Sequence, residues 1–213
     1  MADTVAPEYA RFVAAERRAL RLPQVTQAMA EGDVFKSVFI EAGKAAELVR
    51  VAARRAAGFF RATQRTEVVW VEGENALAVG FAALDVKFST GLIRVGMPVR
   101  CDQTGPASVE VLFVVGSPDQ PAGLYAAAAR RPNGPEVIVT TWGEALVAFA
   151  WQSVLGLVTG IAAAAGKDQR GNLLVPVELS VTARGLEIVP MARHRFAGSS
   201  TLKATTTKIG SRE

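Results

Sequence analysis

The chain has one cysteine and one histidine in 213 residues. A lone Cys101 excludes an internal disulfide and any multi-cysteine metal site, and a lone His194 excludes a histidine cluster or a paired-histidine mechanism. Charge of one sign is also scarce: 24 Lys+Arg stand against 20 Asp+Glu, so a sequence pI of 9.6 is weak grounds for a polyanionic partner. The opening MADTVAPEYARF lacks an apolar core behind a basic flank, so it does not read as a secretory signal, and a cytoplasmic location is the default expectation. No Gly/Ser/Pro-rich linker interrupts the middle of the sequence, which argues against two domains.

What is present favours folding. Half the residues are hydrophobic and 21% are charged, a balance far from that of disordered chains. The pattern predicts an α+β fold: a curved, mainly antiparallel sheet packed on an apolar helix in the C-terminal half, with a long amphipathic helix in the N-terminal part. The expected organisation is an N-terminal helical segment over 1–32, one α+β core over 33–196 and a polar tail or arm over 197–213. Charge is unevenly spread, with 11 basic and 7 acidic residues in 1–65, 5 and 8 in 66–143, and 8 and 5 in 144–213. Two basic ends thus flank an acidic middle, an arrangement that can orient subunits or a partner.

Residues 7–21 suit a first helix between Pro7 and Pro23, and a short one is expected over 25–30. The strongest helical periodicity runs from Asp33 to Ala62, with Val34, Phe35, Val38, Phe39, Ala42, Ala46, Val49, Ala53, Ala56 and Phe60 recurring every three or four positions. Asp33 is the expected N-cap, and Gly58 should lie near the helix end or at a tight packing point. On that long helix Arg50, Arg54, Arg61 and Arg65 form one basic stripe, within about 60° of each other.

From Glu67 the pattern becomes strand-like, with pieces expected at 67–72, 76–84, 86–95, 109–116, 124–130 and 136–141. A hairpin turn is expected at 73–75, another at Pro132–Pro135, and exposed loops at 102–107 and 117–123. Thr141-Trp142-Gly143-Glu144 has the form of a capping box, so a helix is expected over 142–165. Residues 145–165 carry no charge and are long enough to span a membrane, with Gly156 and Gly160 spaced as a GxxxG pair. Its many alanines, with Gln152, Ser153 and Thr159, favour a helix buried in protein over one in lipid, so no membrane partner is favoured. Beyond Gly166, a strand over 173–182 carries Pro176, which marks an edge or a bulge. Ala183-Arg184-Gly185 then turns the chain into a strand at 186–190.

Motifs for chemistry are weak. The segment GIAAAAGKD separates its glycines by five residues where a phosphate loop needs four, and no Ser/Thr follows Lys167. Arg193, His194 and Arg195 form a basic patch suited to an anion or partner, while Glu67, Glu72 and Glu74 form an acidic rim around a turn. Asp85, Asp102 and Asp119 have no regular metal-ligand spacing. No catalytic residue, metal site or cofactor is expected. The favoured reading is a non-enzymatic structural or assembly subunit acting through protein–protein contacts, as a homo-oligomer or within a larger assembly. An alternative is a small-molecule binding domain or enzyme, with Phe81, Trp142, Phe149, Trp151 and Gln152 lining an apolar cavity between sheet and helix 142–165. Nucleic-acid binding through the arginine stripe is possible but not favoured.

Overall fold

A computed structural model of the chain describes residues 36–61, 64–115, 126–128 and 131–192. The expected helices at 7–21 and 25–30, the Asp33 cap, the loop at 117–123, the 193–195 patch and the polar tail lie outside the described residues. Two antiparallel sheets and two helices make up the rest, an α+β architecture.

The helix expected from Asp33 instead starts late. Val38–Glu41 is a strand (β1), and the helix α1 covers Ala42–Ala56. Val38, Phe39 and Ile40 suit a pleated surface better than a helix, and they pair with Ile188, Glu187 and Leu186 of the last strand. Helical periodicity resumes where alanines take over: Ala45, Ala46, Val49, Ala52 and Ala53 are buried. Gly58, at φ 95°, ends the helix as expected, because only glycine adopts that conformation without strain.

The six-stranded sheet follows. Val68–Glu72 (β2) and Asn75–Val79 (β3) form the expected hairpin across Gly73 and Glu74. The piece expected at 76–84 is interrupted: a 3-10 turn at Phe81–Ala83 precedes Asp85–Ser89 (β4). β3 and β4 pair in line along Leu92–Cys101 (β5), so residues 80–84 bulge out of one edge. Burial of Phe81 and Leu84, each 1% exposed, offsets the lost ladder bonds. The strand expected over 86–95 is likewise two strands, turned at Gly91 with φ 69°. Gly105–Val115 (β6) pairs along all of β5, and Ala126–Ala128 (β7) closes the order β2-β3-β5-β6-β7. Pro106 and Ala107, expected in a loop, are strand residues.

Residues 136–141 are not a strand. They open a 29-residue helix, α2 (Glu136–Ala164), so Thr141 and Glu144 lie inside it rather than at a cap. Pro135 sits at the N-cap in extended conformation, and Glu136 in the first turn bonds Arg131 and Thr140. The β-branched run Val137–Thr141 therefore obeys its proline boundary and its buried Ile138, Val139 and Trp142 rather than its strand propensity. Fifteen helix residues are buried, and between Trp142 and Val158 they cover nearly all sides, as in a core helix. α2 is, among the described residues, the one helix long and apolar enough to cross a membrane. In this fold 61% of its most apolar stretch is buried inside the protein, and α1 crosses it where a Cβ on Gly156 would lie 3.1 Å from that of Ala52. Among the described residues Gly160 has no such neighbour, so the GxxxG spacing there reflects one close contact rather than two.

The three-stranded sheet is ordered β1-β9-β8, from Val175–Thr182 (β8) and Gly185–Met191 (β9). Pro176 lies on an edge strand and at a register shift, as its missing donor requires. Gly185, at φ 147°, lies so close to Ile40 and Ala42 that a side chain would meet their backbone. The two sheets are tied where the Gly91 N–H donates to the Val181 carbonyl at 2.9 Å.

Candidate interaction site at the edge of the six-stranded sheet

Among the described residues β1, β2, β4, β7 and β8 each have one unpaired side, and three of them are blunted. β1 is four residues long, β4 is centred on the exposed Lys87, and β8 carries a proline and a bulge, while β7 is described over Ala126–Ala128 alone. Short edges, edge lysines, prolines and bulges are devices that stop a sheet from pairing with other chains. β2 has none of them. It is a five-residue VVWVE edge whose pairing, among the described residues, is to β3 alone.

Burial fixes β2 from one face. Trp70 is fully buried, with its ring 5.8 Å from Phe149 and 6.3 Å from Trp142, and Val68 is buried beside it. The alternate residues point outward: Val69 is 41% exposed and Val71 half-buried. The strand is thus held rigidly while one line of backbone donors and acceptors faces away from β3, which is the geometry that strand addition needs. Three carboxylates bracket it. Glu67 reaches Arg100 at 2.9 Å, while Glu72 and Glu74 have no cation within 4.0 Å among the described residues.

The β2–β3 turn also borders a shallow cleft of about 90 Å³, lined by Glu74, Asn75, Cys101, Asp102, Gln103, Val137, Ile138, Thr141 and Trp142 among others. Two hairpin turns and the first turns of α2 converge there. The Gln103 side-chain amide donates to Asn75 Oδ1 at 3.1 Å, joining the turns, and Cys101 Sγ lies 3.2 Å from Thr104 Oγ1. Burial pushes the Cys101 thiol up, but hydrogen bonds from the Thr104 hydroxyl and the Thr104 and Gln103 backbones outweigh it. The net pKa is below the usual thiol value, despite the Asp102 charge. Val137 adds an exposed apolar side chain at the rim.

No family model, curated protein or solved structure matches this chain. Its site is legible only from its own residues. Of the five residues expected around an apolar cavity, Trp142 and Phe149 meet on the Trp70 ring and the other three lie elsewhere. Phe81 stacks at 5.3 Å on Phe59, Phe149 packs on Trp70, Trp151 packs at 5.5 Å on Phe113, and Gln152 is half-buried on α2. Only Trp142 borders the cleft. The arginine stripe is also broken, because the helix ends at Ala56 and leaves Arg61 and Arg65 beyond it. Arg50 is turned inward, donating to the Leu84 carbonyl at 2.9 Å, and the Arg54 Nε is buried without a hydrogen-bond partner. Arg65 lies 5.7 Å from the Phe59 ring centroid. Among the described residues no three His, Cys, Asp or Glu side chains gather as metal ligands.

Sequence reasoning found the β2 strand, its turn and the glutamates, but not that β2 is an edge. Strand order depends on long-range pairing, and no residue within 67–75 encodes it. The cleft joins turns 28 residues apart to a helix start that strand propensity conceals, so Trp142 is the one cleft residue among the five that the sequence points to for a pocket.

Proposed function

We propose that this protein is a non-enzymatic assembly subunit whose partner contact is strand addition along β2. The observation that carries this reading is the contrast, among the described residues, between the unprotected edge of β2 and the blunted edges of β1, β4 and β8. An apolar strand with an open backbone edge is prone to pair with other chains unless something covers it, so an edge kept open and rigid is best understood as an interface. The acidic bracket of Glu67, Glu72 and Glu74 adds selectivity, favouring a basic, extended segment and repelling acidic ones.

Two other readings draw less support. The cleft beside the β2–β3 turn, at about 90 Å³, holds a few water molecules, well below the roughly 300–1,000 Å³ usual for small-molecule sites. Nucleic-acid binding loses the continuous helical stripe on which it was based. A cytoplasmic setting remains the expectation that fits the single free thiol.

The test is molar mass by light scattering over a wide concentration range, for the native chain and for Val69→Lys/Val71→Lys. Strand addition predicts mass rising with concentration in the native chain and a loss of that rise in the variant, with the folded signal retained. Equal association by both proteins would overturn the β2 contact.

A further inference from the structure

The assembly reading leaves open what covers β2, and the chain itself contains a segment matched to it. Residues 193–213 carry Arg193, Arg195, Lys203, Lys208 and Arg212 against the single acid Glu213, whereas 67–74 carry three glutamates and no Lys or Arg. Within the segment, TLKATTTKI is rich in threonine and ends in isoleucine, residue types that favour extended strands.

The spacings also agree. Glu67 and Glu72 are five residues apart, and so are Lys203 and Lys208. An odd separation puts the two glutamates on opposite faces of the strand, and it does the same for the two lysines. We infer that residues 201–209 of a second copy add as an antiparallel strand to β2, placing Lys208 opposite Glu67 and Lys203 opposite Glu72. In that register Thr207, Thr206, Thr205 and Ala204 lie opposite Val68, Val69, Trp70 and Val71. Small and β-branched side chains cover the apolar edge while opposite charges latch both ends and both faces. Antiparallel pairing continues the pattern of every described strand pair and is slightly the more stable arrangement. Exchange between copies is the arrangement that also joins molecules, as the assembly reading requires, because each copy then supplies a strand to another.

The inference rests on β2 being a protein contact, and its test separates the two. In the full chain, Lys203→Glu is expected to weaken self-association roughly five- to tenfold, and adding Glu72→Lys to restore it, because the pair is reversed rather than removed. In a Cys101→Ser background, a chain carrying Val69→Cys mixed with one carrying Thr206→Cys is expected to give a disulfide-linked dimer on mild oxidation. No rescue by the reversed pair and no cross-linked dimer would overturn the exchange. If association then still vanished in Val69→Lys/Val71→Lys, the β2 contact would stand with another occupant. A disulfide found only within one chain carrying both cysteines would overturn exchange in favour of self-coverage.

Discussion

β2 and β8 are both edge strands of antiparallel sheets in one molecule, yet they are built in opposite ways. β8 carries Pro176, a register shift and Glu178, so its free edge cannot present a regular ladder. β2 presents five uninterrupted residues, with Trp70 sunk into the core and Val69 exposed. A fold able to blunt one edge with a single proline has left the other open. The lesson is that two edges of one molecule can differ by a proline and a register shift alone.

The largest expected effect sharpens the contrast between the two hairpins. Gly185→Ala would drive a Cβ into the Ile40 and Ala42 backbone at a left-handed residue, and should cost about 4 kcal/mol or more. Gly73→Ala meets no atom within 4 Å and should cost only ~1–2 kcal/mol, the conformational term alone. Urea unfolding measures both, and equal losses would break the comparison. Alternate residues of β2 should split in the same way. Trp70→Ala should lose about 3–5 kcal/mol as a cavity opens, whereas Val69→Lys should change stability by about 0.5 kcal/mol or less while altering assembly.

Removing the device from β8 is the converse experiment. Pro176→Val should leave stability within about 1 kcal/mol but make the second edge adhesive, seen as increased light scattering; unchanged scattering would mean that the proline is not what protects it. Smaller effects concern the turn and helix start beside β2. Thr104→Ala removes a hydrogen bond that favours the Cys101 thiolate, so the pH midpoint of alkylation should move up and labelling at pH 7 should slow. Glu136 is held below the ordinary carboxylate range by its hydrogen bonds to Arg131 and Thr140 and by the Arg131 charge. Its folded pKa is depressed, so its stabilising contribution is present above the ordinary glutamate range and lost as pH falls through the depressed value. Arg131→Ala should flatten that acid limb slightly in thermal melts recorded between about pH 5 and 3.

Local chemistry made much of this fold legible. Gly58, the 73–75 turn, Pro176 and the 183–185 turn mark features that depend on a few residues and their conformational limits. The errors came where distant partners decide. Val38–Glu41 carries helix-compatible spacing but pairs with β9, and Val137–Thr141 carries strand residues but is recruited to α2 by buried contacts. Phe81 and Leu84 break a strand that alternation alone would continue. The candidate site suffered most, because an edge is defined by which strand is absent beside it.

The most direct measurement is amide hydrogen exchange across β2 in the full chain at low and high protein concentration. The account predicts that the β2 amides facing away from β3 exchange rapidly when dilute and become protected as concentration rises, while β8 changes little. Protection in β2 that is identical at both concentrations would contradict it.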